Sequence, residues 1–190
     1  MKQQLIEKSI SDALLALGLN LEDANLKETP MRVAKMLIEL TKNIDADEPT
    51  EEEVTTFSND KNYDEIIMLD NIPFTSLCSH HLVFFSGLAY FLYLPNKLLI
   101  GASKVARLIN FYSSKPQIQE NLGIEIVDAF EKIIAPKGCM LVMRAVHSCM
   151  SSRGVKTGLN AGLTTSITRG VFRTSRELEA KGLALIQMTK

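Results

Sequence analysis

The sequence predicts an α+β fold, and three observations predict it. Helical patterns open the chain, strand patterns follow, two helices interrupt them, and strands return. Helices and strands do not alternate one by one, as a parallel α/β sheet requires. The 190 residues are 46% hydrophobic and 23% charged, enough apolar surface for one real core.

The elements follow in order. Residues 2–18 place Leu5, Ile6, Ile10, Ala13, Leu14 and Leu17 at helical spacing, and Gly18 supplies a stop. Thr29 is the expected N-cap of a second helix, with Pro30 in its first turn and Val33, Met36, Leu37 and Leu40 as its stripe. Residues 43–63 are acidic and polar and read as a solvated loop with a short helix. The expected division is therefore an N-terminal helical region, 1–62, and a second body, 63–190.

Ile66–Leu69 reads as a strand, and Leu88–Leu94, after Gly87, as another. Pro95-Asn96-Lys97 makes a turn into a short strand, Leu98–Ile100. A helix follows from Ser103, with Val105, Ala106, Leu108, Ile109 and Tyr112 on its apolar face. Pro116 is expected to open a further helix carrying Ile118, Leu122, Ile126, Ala129, Phe130 and Ile133, closed by Pro136-Lys137-Gly138. Cys139–His147 and the threonine-rich 163–172 read as strands. Arg176–Gln187 reads as a closing helix, weakened by Gly182.

Charge and hydropathy exclude several functions. Formal net charge is -1, so no overall pull toward nucleic acid or an anionic membrane is expected. No apolar run approaches the roughly 20 residues of a membrane span. The polar N-terminus reads as the start of an amphipathic helix, and no signal peptide is expected. Three cysteines form no disulfide framework, and a reducing cytoplasm is the expected location.

The chemistry concentrates in two clusters. All three histidines lie in Cys78-Ser79-His80-His81 and His147-Ser148-Cys149, and only Cys139 stands apart, as a small buried hydrophobe. Thiolate and imidazole are favoured zinc ligands. Cys78 and His81, three apart, can grip one ion from a tight turn, which leaves His80 for another task. His147 and Cys149, two apart in extended chain, would face one way, one as ligand and one beside substrate. Three protein ligands leave a fourth position open, the catalytic pattern. All four of Cys78, His81, His147 and Cys149 would make a structural site instead. The spare His80 favours the catalytic pattern.

A second group is basic. Ser103 and Lys104 begin a helix, and Arg107 lies on the face of Lys104, a natural phosphate site. Arg153 and Arg32 are further candidates. Gln119-Glu120 offers a carboxylate for a polar heterocycle. Each alone reads as an ordinary surface residue.

Together these segments resemble the GTP cyclohydrolase I family. The resemblance runs from about residue 29 to 173. It rests on Thr29-Pro30-Met31-Arg32-Val33-Ala34-Lys35-Met36, on Ser76-Leu77-Cys78-Ser79-His80-His81, and on Tyr93-Leu94-Pro95-Asn96 followed by Ile100-Gly101-Ala102-Ser103-Lys104-Val105-Ala106-Arg107. Lys115-Pro116-Gln117-Ile118-Gln119-Glu120 and Ala145-Val146-His147-Ser148-Cys149-Met150 through Arg153-Gly154-Val155 complete the series. Any one is weak, but their order is specific.

The resemblance implies the tunnelling fold, an antiparallel sheet with a pair of helices on one face, and a catalytic domain in 63–190. It implies a homodecamer with active sites between subunits. Carried over, Cys78, His81 and Cys149 would hold Zn2+, and His80 and His147 would transfer protons. Glu120 would anchor guanine with the segment around Gln119. Lys104, Arg107 and Arg153 would hold the triphosphate, with Ser103 beside it and Arg32 reaching in from a neighbour. The implied reaction hydrolyses GTP to 7,8-dihydroneopterin triphosphate and formate. It opens the imidazole ring at C8, with His80 protonating a ring nitrogen.

Ser79 stands where the family has Glu, and Ala102 where it has Leu. Gly158-Leu159-Asn160-Ala161-Gly162 replaces a Ser/Thr-rich stretch. A relative on the same fold acting on another purine or pterin, or a non-catalytic zinc-stabilised member, are the competing readings. The retained His80 and His147 argue against the last.

Overall fold

The computed structural model describes residues 1–50, 54–158 and 160–189. Two helices open the chain, α1 (Lys2–Ala16) and α2 (Thr29–Leu40). They pack against each other. No residue of α1 is buried, whereas α2 buries Pro30 and Ala34. Thr29 is not the N-cap. Glu28 already has near-helical angles and its carbonyl accepts from Arg32 N–H at 3.0 Å, so Thr29 is the first helical residue.

The short helix expected within 43–63 does not form among the described residues, since that acidic stretch has no apolar stripe to bury. Glu51, Glu52 and Glu53 lie outside the described residues. Thr56–Ser58 is instead a strand, β1, paired antiparallel with β4 (Leu98–Ile100).

The main sheet has five strands in the order β5-β2-β3-β6-β7. These are β2 (Ile67–Cys78), β3 (Phe84–Leu94), β5 (Pro116–Gln117), β6 (Gly138–His147) and β7 (Leu163–Gly170). All pairings are antiparallel except β2 with β5. β2 and β3 extend well beyond the runs expected from hydropathy. Polar residues such as Asp70, Asn71 and Thr75 interrupt the apolar pattern of β2, and a bulge lies between Leu69 and Ile72.

Strand periodicity sorts the core into two layers. On one face Phe85, Ala89, Phe91 and Tyr93 of β3 join Cys139, Leu141, Met143 and Ala145 of β6 beneath two helices. These helices are α3 (Ala102–Ser113) and α4 (Gln119–Ile134). Phe130 of α4 meets the rings of Phe91 at 4.5 Å and Tyr93 at 5.1 Å. On the other face Tyr90, Leu92, Met140 and Val142 meet Phe172 and Ile186. Those two come from α6 (Val171–Thr174) and α7 (Arg176–Gln187). Burial on both faces is why β3 and β6 read as nearly continuous apolar runs. Cys139 is fully buried, and burial above all pushes its thiol up to about 12.

Two expectations fail at element ends. Pro116 does not open a helix. It pairs with Leu77 in β5, an edge position that tolerates a missing N–H, and α4 starts at Gln119 after an extended Ile118. The last strand stops at Gly170, whose φ of +55° turns the chain into α6. The fold is thus α+β, an antiparallel sheet carrying a helix pair on one face. Among the described residues, no helix is long and apolar enough to cross a membrane.

Candidate metal centre and active site

The two chemical clusters meet at one end of the sheet. Cys78 closes β2, and residues 79–83 turn the chain into β3. The Cys78 carbonyl accepts from His81 N–H at 3.2 Å and from Leu82 N–H at 2.8 Å, while Cys78 N–H donates to Val83 at 2.9 Å. Leu82 completes the turn with a φ of +52°. This tight turn brings Cys78 and His81 to one side, as their spacing predicted. The turn is also tied to β5, because Ser79 N–H donates to the Gln117 carbonyl at 3.0 Å. Ser79 is exposed and enters this turn through its backbone.

The second cluster arrives along β6. His147 is the last residue of that strand and pairs with Phe85. The chain does not stay extended to Cys149. Ser148–Ser151 form a single helical turn, α5. That turn still brings Cys149 to the first cluster, but by helical rather than strand geometry.

One ligand atom from each of Cys78, His81 and Cys149 lies within 4.8 Å of the others. Cys78 is buried, Cys149 half-buried and His81 exposed, so the triad opens to solvent on one side. Two sulfurs and one imidazole nitrogen suit a zinc-like ion. Ligands on bonds of about 2.0–2.3 Å sit roughly 3.6 Å apart in a tetrahedron, so a small contraction closes the set. Burial raises the Cys149 thiol above its ordinary value, and the hydrogen bond and charge of Cys78 raise it further. Its own backbone and the Arg153 guanidinium oppose that rise, which puts Arg153 within electrostatic reach. The donor set can hold a metal ion.

Two histidines flank the triad. His80 is exposed, with Nδ1 3.7 Å from Cys78 Sγ. His147 is half-buried. Its ring stacks on Phe85 at 4.5 Å between centroids and 6° between planes. Burial lowers its pKa below the ordinary histidine value, and the Glu120 carboxylate partly opposes this. Glu120, in the first turn of α4, therefore stands near the same centre.

Gln119 is fully buried, and its amide is directed inward. Nε2 donates to the carbonyls of Met143 and Leu163, both at 3.2 Å, and to Thr165 Oγ1 at 3.1 Å. Oε1 lies 2.8 Å from His147 Nε2.

The start of α3 does not lie at this end of the sheet. Ser103 and Lys104 occupy the first turn of α3, which follows β4. The preceding strand β3 ends at Leu94, opposite Gly138, at the far end of the sheet from His147. α3 returns toward the centre, and its 12 residues span about 18 Å. Arg107 sits midway along it. Arg32 is exposed on α2 and pairs with Glu28 at 2.7 Å. Sequence reasoning missed Phe85 as a support for His147. The inward role of the Gln119 side chain was also not read, although its spacing from Leu122 and Ile126 continues the buried stripe of α4.

Comparison with known proteins supplies the family. The pattern described as GTP cyclohydrolase I matches residues 6–187. A relative from Streptococcus agalactiae serotype Ia, named GTP cyclohydrolase 1, is 41% identical over 186 residues, covering 97% of each chain. A protein of the same name from Caldanaerobacter subterraneus subsp. tengcongensis is 38% identical over 97% of this chain and 96% of its own. One from Thermoanaerobacter pseudethanolicus is 37% identical over 99% and 98%. Among solved structures, the archaeosine synthase QueF-Like in the apo form covers 55% of this chain at 10% identity. Its TM-score is 0.46, too weak a likeness to bear on fold or activity. The match across nearly the whole length shows that this chain is an enzyme of the GTP cyclohydrolase I family.

Proposed function

We propose that the chain is a zinc-dependent GTP cyclohydrolase I, hydrolysing GTP to 7,8-dihydroneopterin triphosphate and formate. The observation that carries this reading is the open triad Cys78, His81 and Cys149 flanked by two further histidines, His80 and His147. A structural zinc site seldom keeps two further imidazoles beside its ligands. When bound, zinc supplies Lewis acidity and brings the pKa of water to about 7.

In this reading the chain's own residues bind and move protons. Exposed His80, beside Cys78, gives a proton to a ring nitrogen of the purine, and His147 serves as the second proton carrier. Glu120 accepts hydrogen bonds from the guanine edge, in the segment that Gln119 anchors. Arg153 neutralises phosphate charge close to the metal. Ser103, Lys104 and Arg107 do so from α3, and Arg32 from a neighbouring subunit. The position of α3 supports a site shared between subunits, because its first turn follows β4 near the sheet end opposite His147. A homodecamer with interfacial active sites is the assembly this reading implies. We also retain a division at residue 62, with 63–190 as the catalytic domain. The packing of α1 on α2 supports it, and β1 links the two parts by pairing with β4. Thiolate ligands fit a cytoplasmic location.

Incubation with GTP tests the reading. Pterin absorbance and fluorescence should appear, vanish with a chelator and return with zinc. Absence of pterin under every metal condition would sink it.

A further inference from the structure

We propose that Gln119 and Phe85 are positioning residues that fix the plane of the His147 ring and hold its proton on Nε2, donated to the Gln119 amide oxygen. The argument begins with the amide of Gln119, which has one accepting end and one donating end. Its Nε2 lies 3.2 Å from the carbonyl oxygens of both Met143 and Leu163. Those oxygens only accept. A reversed amide would set Oε1 against two acceptors in a fully buried site, so the orientation is fixed by its surroundings.

Oε1 is then the atom 2.8 Å from His147 Nε2. An amide oxygen only accepts, so that ring nitrogen must carry the proton. A neutral imidazole carries one N–H, and Nδ1 is left with its lone pair. Phe85, fully buried and parallel to the ring at 6°, fixes the plane in which that lone pair lies. Gln119 is in turn held by β6 through Met143 and by β7 through Thr165. The constraint on His147 thus comes from the joined end of α4 and two strands. The Nε2–H donation to Gln119 stands on geometry alone. That Nδ1 takes a proton during turnover rests on the reading of the site as a GTP ring-opening centre.

The test uses the full chain labelled with 15N-histidine, both zinc-loaded and metal-free. Long-range 1H–15N correlation spectra show which ring nitrogen carries the proton, with His147→Gln providing the assignment. The expected wild-type result is Nε2–H. Gln119→Met should mix or invert the tautomer and lower kcat by about 100-fold, with KM for GTP changed by less than about threefold. Gln119→Glu keeps an accepting oxygen and, as the acid, a donor for one carbonyl. It should preserve Nε2–H and recover at least about tenfold of the lost kcat.

A wild-type Nδ1–H signal overturns the proposal whether or not the protein turns over GTP. So does a Gln119→Met variant with an unchanged tautomer, an unchanged kcat and a KM raised more than about tenfold, which would make Gln119 a substrate contact. If Gln119→Met does not fold, the wild-type spectrum and Gln119→Glu still decide. Failure of the pterin assay with Nε2–H intact would remove the enzymatic reading and leave the positioning result standing.

Discussion

Cys149 and His80 lie on the same side of the molecule, yet their losses should separate. Cys149→Ala removes one of three ligands and leaves Cys78 and His81, so metal content per subunit should fall severalfold, with activity falling alongside. His80→Ala leaves the triad whole. Its metal content should match the wild type while kcat drops by about 100-fold or more, the range of a lost general acid. Metal analysis beside turnover checks both, and metal loss in His80→Ala would show that the roles are misassigned. The two clusters were legible in the sequence because rare side chains grouped together have few structural uses, whereas the choice of Cys149 over His147 as third ligand came from the family resemblance. Phe85 was not legible, since an aromatic on a strand looks the same whether it packs against leucine or stacks on His147. Gln119 left a faint signal. It continues the stripe of Leu122, Ile126 and Phe130, and a glutamine at a core position needs partners inside the protein. Its place before Glu120 drew attention to a ligand instead.

At the scale of elements, two glycines, Gly87 on β3 and Gly123 on α4, should respond unequally to the same change. A Cβ on Gly87 would stand 1.9 Å from the Arg144 carbonyl oxygen and 2.6 Å from Ala145 Cα, all backbone. Gly87→Ala must therefore pry β3 from β6 two residues from the Phe85–His147 pair, and should cost about 3 kcal/mol. A Cβ on Gly123 would stand 2.3 Å from Ile167 Cδ1, the tip of a side chain that can turn away. Gly123→Ala also gains about 1 kcal/mol of helix propensity, so its net effect should stay within about 1 kcal/mol. Urea denaturation compares the two, and similar losses would mean that α4 cannot shift against β7. Apolar periodicity revealed α3 and α4 because each has one face on the core, and continuous apolar runs revealed β6 and part of β3, which are buried on both faces. It lost most of β2, whose polar residues at Asp70 and Asn71 sit around a bulge. It also misread Pro116, because proline suits both a helix start and a sheet edge, and only the partner strand decides.

Across the whole molecule, the thiol and imidazole cluster and the basic start of α3 stand at different places. The thiol and imidazole cluster occupies the sheet end formed by Cys78, His147 and the first turn of α4, whereas Ser103 and Lys104 begin α3 nearer the other end. In the proposed reading, one chain would therefore present part of a nucleotide site at each place. If copies meet so that the α3 of one subunit faces the metal centre of the next, every complete site draws on two subunits. That arrangement makes a prediction no single-subunit site could satisfy. His80→Ala and Lys104→Ala subunits should each be nearly inactive alone. Co-expressed, they should form mixed oligomers in which some interfaces pair an intact His80 with an intact Lys104. Random assembly of equal amounts gives such a pairing at about a quarter of the sites. Turnover should therefore recover to about that fraction of wild type, far above either parent. Size-exclusion chromatography must first show that the mixed sample assembles as the wild type does. Assembly without recovery would place both residues of each site in one chain, and α3 would then have to reach its own metal centre by a rearrangement that this fold does not display.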